Sequence, residues 1–136
     1  MFAIALMAIC MVLSCGCLGD SWLTDNVKIE EVSAYAPAKD HVIVSVEVVN
    51  NNDFEGLVMV GSEVNCGTVT WNEKKEPLIL LPNSKSTVKT DFQGAADRIP
   101  TLCKEYEYQA RIYGHDGRII DESDKKMGKK PHGLPD

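Results

Sequence analysis

Five cysteines, three histidines and a set of clustered acids are the groups in this chain with chemistry to offer. The cysteines are Cys10, Cys15, Cys17, Cys66 and Cys103. After Cys17 there is no Cys-x-x-Cys, so no redox dithiol is signalled. His41, His115 and His132 are scattered, with no HxH or HExxH spacing, and surface positions are expected for them. Glu105, Glu107, Asp121, Glu122 and Asp124 gather late in the chain. Converging oxygens of that kind can hold Ca²⁺, but a solvated acidic face is the expectation. Ser84 and Ser86 have no His nearby in sequence. There is no GxSxG, no phosphate-binding loop and no GxGxxG following a strand. No catalytic residue, metal ligand or cofactor is therefore assigned, and a non-enzymatic role is expected. The net charge of −6 lacks the basic face that nucleic-acid binding needs.

The first cysteines sit in a different context from the last two. Residues 1–13 read "MFAIALMAICMVL", an apolar run of signal-peptide length and short for a membrane-spanning helix. "SCGC" follows, then "LGD" and a polar chain. An apolar run ending in small residues and a cysteine resembles the lipobox of prokaryotic lipoproteins. That resemblance implies cleavage before Cys17, with lipid on its sulfur; Cys15 is the alternative. Residues 1–16 are then a signal peptide, and 17–25 a lipidated cysteine with a short linker. An uncleaved apolar anchor gives the same location, the extracytoplasmic face of a cell membrane. Trp22 and Leu23 are either linker or residues at the lipid interface, where Trp is favoured. Cleavage removes Cys10 and Cys15 and lipidation uses Cys17, leaving Cys66 and Cys103 as a pair. In an exported chain the simplest reading is a disulfide, worth about 4 kcal/mol in the chain-entropy model. Two buried thiols are the alternative.

From Val27 onward the hydrophobic period is two. "HVIVSVEVV" puts Val42, Val44, Val46 and Val48 on one face, the pattern of a half-buried strand. Asn50 to Asp53 read as a turn. "NVKIEEVSAYA" is an earlier strand with a bulge near Glu30 and Glu31. "GLVMVGSEV" and "CGTVTW" are later strands, with "NEKKEP" as a polar turn. "PLILL" is a short strand bounded by Pro77 and Pro82. "STVKTDF" turns Val88, Thr90 and Phe92 inward. "YEYQARIY" turns Tyr106, Tyr108, Ala110 and Ile112 inward, with Glu107, Gln109 and Arg111 outward. Asp116-Gly117 is a tight hairpin leading to a last strand at Arg118 to Asp121. Gln93 to Pro100 is the one place with room for a helical turn.

Seven to eight short strands at this spacing predict a single mainly β domain over 26–124, an antiparallel sandwich. "LLPNSKSTVKTDF", "YEYQARIYGHDGRIIDESD" and "VSVEVVNNNDFEG" resemble CARDB-like and related immunoglobulin-like accessory domains. The resemblance implies an immunoglobulin-like sandwich working as an adhesion, spacer or accessory module with a protein or cell-surface partner. Contacts are expected on the loops Asn50 to Phe54 and Gly114 to Gly117. The alternative is a small-ligand or metal-ion carrier on the same sandwich, with a pocket between the sheets or a convergence of His41, His115 and the acidic cluster. Residues 125–136, "KKMGKKPHGLPD", are expected to be a disordered Lys-rich tail. Weak attraction of that tail to anionic headgroups or an acidic partner is its functional reading.

Overall fold

The alternating valines form one wall of the core. In a computed structural model describing residues 21–66, 73–93 and 104–130, Val42, Val44, Val46 and Val48 are fully buried. They lie on β2 (His41–Asn50), between β1 (Val27–Ala38) and β5 (Lys85–Gln93). The facing sheet contains β3 (Gly56–Asn65), β4 (Lys74–Leu80), β6 (Glu105–Tyr113), β7 (Ile119–Glu122) and β8 (Lys126–Lys129). Its order is β4-β3-β6, with β7 and β8 both paired to the outer edge of β6. All these pairings are antiparallel. The result is an immunoglobulin-like β-sandwich. Val88, Thr90 and Phe92 on β5 extend the valine wall, and Val58, Val60, Tyr106, Ala110 and Ile112 supply the opposite one. The β1 register shifts between Ile29 and Glu31, at the expected bulge.

Two elements depart from the sequence reading, and two others lie largely outside the described residues. Lys74 to Pro77, expected in a turn, begin β4 instead. Pro77 sits opposite Met59 on a sheet edge, where its missing N–H costs no ladder bond. The expected "CGTVTW" strand and the Gln93–Pro100 helical turn fall largely outside the described residues. The hairpin at Asp116-Gly117 is a longer loop than a two-residue turn. Gly117 N–H donates to Gly114 O at 3.1 Å, Gly114 N–H donates to Arg118 O at 2.9 Å, and Gly117 takes φ 79°. That is a turn closed by a left-handed glycine, a position where other residues are strained.

The domain begins earlier than residue 26. Leu23 belongs to the core, Trp22 bridges Leu57 in parallel, and Leu57 N–H donates to Ser21 O at 2.8 Å. Gly56 makes room, since a Cβ there would lie 2.6 Å from the Leu23 side chain. Residues 21–23 thus continue the line of β6 alongside β3, past the point where Tyr113 pairs with Met59.

The domain also ends later than residue 124. Lys126 to Lys129, expected in a disordered tail, pair with Tyr108 to Glu105. Gly128 lets the Tyr106 ring approach, because a Cβ there would lie 2.4 Å from the ring. Lys126 Nζ donates to Val32 O at 3.1 Å and Lys130 Nζ to Lys39 O, so the tail also reaches the other sheet. Between β7 and β8 the chain bulges at Ser123, whose Oγ accepts the Ala110 N–H at 2.9 Å.

Asn50 closes the other end of the core. Its buried amide donates to Phe54 O and Leu81 O, both at 3.0 Å, and its Oδ1 accepts from Asn52 N–H at 2.9 Å.

Two substitutions test these assignments. Gly128→Ala forces Tyr106 or β8 to move and should cost about 1–3 kcal/mol in urea denaturation, as overpacking does; no loss would mean β8 is not docked. Asn50→Ala leaves those carbonyls and the Asn52 N–H without their partner and should cost about 2–4 kcal/mol by the same measurement.

Candidate interaction surface

Alternation sends the odd-numbered residues of β6 to the outer face of the larger sheet. Arg111 is at the centre of a polar cluster there. Its Nε donates to Glu122 at 2.6 Å, its Nη1 to Glu73 at 3.1 Å and Glu63 at 3.4 Å, and its Nη2 to Gln109 Oε1 at 2.9 Å. Tyr113 OH donates to both Glu73 oxygens, at 2.7 and 2.8 Å. The Lys75 ammonium lies 4.1 Å from the Tyr113 ring centroid, a cation–π distance. The hydrogen bond to Glu122 foremost, with Glu73 adding to it, holds the Arg111 guanidinium above its ordinary pKa against the opposing effect of burial. Burial, then the bond to Glu73, pushes Tyr113 up to about 12, while Arg111 opposes the shift. Every nitrogen of the guanidinium is engaged, and both Glu73 oxygens are taken. The cluster clasps β6, β3, β7 and the start of β4 together.

Sequence reading placed Gln109 and Arg111 outward but missed this clasp. Gln109 is buried, its Nε2 donating to Ser123 O at 2.8 Å. Glu73 comes from outside β6, so strand periodicity alone could not bring it in. The signal available was an arginine in the middle of a strand with acids on two neighbouring elements.

Below the clasp the same face turns apolar. Trp22, Leu57 and Ile79 form one cross-strand row. Tyr113, Met59 and Pro77 form the next. Ile79 is 59% exposed. At the end of the sheet, Phe54 is 55% and Leu81 59% exposed.

The residues singled out in the sequence are dispersed. Cys15, Cys17, Cys103 and His132 lie outside the described residues. Cys66 is buried at the end of β3, its Sγ 3.7 Å from Glu105 O. His41 starts β2, 3.3 Å from Asp91 Oδ1. His115 packs edge-on against Trp22 at 5.4 Å, near the other end of β2. A ten-residue strand spans roughly 30 Å, so the carrier convergence of His41 with His115 does not form. The acidic cluster is also divided. Glu105 faces Lys129 and Glu107 faces Lys125, each at 4.0 Å, Asp121 accepts the Ile29 N–H at 2.8 Å, and Glu122 serves Arg111. Among the described residues no group of His, Cys, Asp and Glu is placed to hold a metal. An open cleft of about 510 Å³ runs along Asp25, Asn26, Lys28, Arg118, Ile119 and Asp121. It lies at the sheet edges rather than between the sheets.

No family model and no curated protein matches the chain. Solved structures match it in fold. A glycosyl hydrolase family 2 member from Bacteroides cellulosilyticus superposes with a TM-score of 0.61 at 19% identity, over 78% of this chain and 16% of that one. A Bacteroides uniformis beta-glucuronidase gives 0.57 at 10% identity, over 77% and 14%. A Paenibacillus cycloisomaltooligosaccharide glucanotransferase gives 0.57 at 13% identity, over 81% and 15%. At these identities the likeness is one of fold alone, and the chain spans 14% to 16% of those three chains.

The clasp carries a pH dependence. With the folded pKa of Tyr113 raised from 10.0 to about 12, its contribution to stability is complete below about pH 10 and lost as pH rises through about 12. Burial raises Tyr106 and Tyr108 as well, so a difference isolates Tyr113. The stability gap between wild type and Tyr113→Phe, from urea melts, should shrink across that window. A gap that stays constant would show that neither burial nor Glu73 holds the hydroxyl above its ordinary pKa.

Proposed function

We propose that this chain is an exported module held to the cell membrane by lipid at Cys17, whose immunoglobulin-like sandwich acts by binding rather than by catalysis. The observation that carries the reading is the seating of Ser21, Trp22 and Leu23. Ser21, four residues after the lipobox-like cysteine, is already bonded into the fold, so an anchor at Cys17 would tie the sandwich closely to the bilayer. The outer face of the larger sheet supports a binding role. It sets a half-buried apolar row ending at the exposed Ile79 beside a polar cluster whose groups bond one another, which is a rigid surface for a partner protein. The solved structures of like fold support an accessory role, because the matched region is a minor share of each of those larger enzymes.

Oxidation of Cys66 and Cys103 to a disulfide belongs to the same reading. Cys66 is buried beside Glu105, which follows Cys103 by two positions. The bond would fasten the end of β3 to the segment entering β6.

Intact mass spectrometry of protein purified from its native membranes without reductant tests both claims. The expected mass begins at Cys17, carries lipid, and lacks the hydrogens lost on joining Cys66 to Cys103; Cys17→Ser should lose the lipid mass. A full-length mass with free thiols would overturn the reading.

A further inference from the structure

The loops expected to meet a partner lie at the end of the sandwich where the chain enters. Asn51 N–H donates to Asn26 O at 2.8 Å, and Asn83 N–H to Asn52 O at 2.9 Å. Asn52 Nδ2 donates to Asp25 O at 2.9 Å. Gly114 lies against Leu23 O. The turns after β2, after β4 and after β6 therefore gather around residues 21–26. The other end carries the β1–β2 turn at Lys39 and Asp40 and the end of β8 at Lys129.

Exposed apolar side chains follow the same division. Among the described residues, Phe54, Ile79, Leu81 and Ile119 are at or near the entry end, while Tyr35 and Met127 are the large exposed hydrophobics elsewhere. Single exposed hydrophobics are ordinary on a protein surface. Four drawn toward the end where the chain arrives from an apolar leader are not explained that way. Two of them are held in place together, because the Asn50 amide bonds the carbonyls of both Phe54 and Leu81. Trp22, beside Leu57 and His115, adds a ring of the kind favoured at membrane interfaces.

We infer that the entry end, tipped by Phe54 and Leu81 and flanked by Trp22, docks into the interfacial layer of the same bilayer that holds the anchor. The inference rests on anchoring at or before Cys17. From an anchor at Cys17 to Ser21 the chain reaches at most about 14 Å, which keeps the entry end close to the membrane surface. Within that tether even weak insertion is favoured by effective concentration. Asp53 and Glu55 flank Phe54, so the attachment is apolar, and the acids keep it at headgroup depth. Lys129 and Lys130, at the far end, take no part, which removes the expected lysine attraction to lipid from β8. The part of the outer sheet face that carries the Arg111 clasp then stands clear of the bilayer for its partner.

The test uses the full anchored chain in phosphatidylcholine vesicles with brominated acyl chains. Phe54→Trp, in a Trp22→Phe, Trp71→Phe background, reports the tip; Leu81→Trp in the same background reports it independently. Met127→Trp, 62% exposed at its site in the native chain, reports the far half. The protein should float with the vesicles, with either tip reporter quenched about twofold and Met127→Trp unquenched, as interfacial insertion requires. Flotation with both tip reporters quenched no more than Met127→Trp would overturn the docking and leave the anchor standing. Failure to float would overturn the anchoring itself, and the docking with it.

Discussion

The entry end is organised around one buried amide. Asn50 ends β2 where a hydrophobic residue would continue the valine series, and its side chain bonds the backbone of two other turns. Turn carbonyls facing inward are costly unless bonded. One asparagine satisfies two of them and orients Asn52, which in turn bonds Asp25 O. The path of the incoming chain, the β2–β3 turn and the β4–β5 turn are thus one hydrogen-bonded unit. Asn26 and Asn83 complete it at φ 56° and 49°, a left-handed conformation that Asn tolerates better than most residues. This unit fixes the shape of the turns at the tip, while the pairing of residues 21–23 with Leu57 seats Leu23 in the core.

The edges of the larger sheet are handled by different means. At one side β4 presents Lys74, Lys75, Glu76 and Pro77, a charged and proline-bearing edge that resists pairing with another chain. At the other side a single run of chain covers β6 twice, as β7 and then β8, with Ser123 filling the gap between them. Lys129 faces Glu105, Lys126 reaches the Val32 carbonyl, and Lys130, just past β8, reaches the Lys39 carbonyl. Surface ion pairs at 4.0 Å add little on their own. The backbone ladder, and the close seat of Gly128 on Tyr106, hold the strand.

The sequence was most legible where side-chain periodicity and burial coincide. The valines of β2, the inward residues of β5 and β6, and the β1 bulge all follow from a period of two. It was least legible where backbone pairing decides the outcome. Lys126 to Lys129 carry no apolar alternation, and their strand exists because β6 offers an unpaired edge. Ser21 to Leu23 read as linker because three residues are too few to show a period, and because Gly56, which admits Leu23, lies far along the chain. The Arg111 clasp was half legible. Alternation placed its arginine, but Glu73 and Glu63 arrive through tertiary pairing.

The two ends of the sandwich have opposite characters. Asparagine bonding, apolar tips and the incoming chain occupy one end. The lysine-bearing end of β8 occupies the other, and between them lies a sheet face that changes from apolar to charged along its length. A free, tumbling domain has no physical reason to sort its surface in this way. A domain with one end fixed does, because the fixed end meets lipid while the opposite end and the faces meet water or protein. Were the entry end attached to lipid as proposed, its loops would be taken up by the attachment, and recognition would fall to the part of the outer face that the clasp holds together.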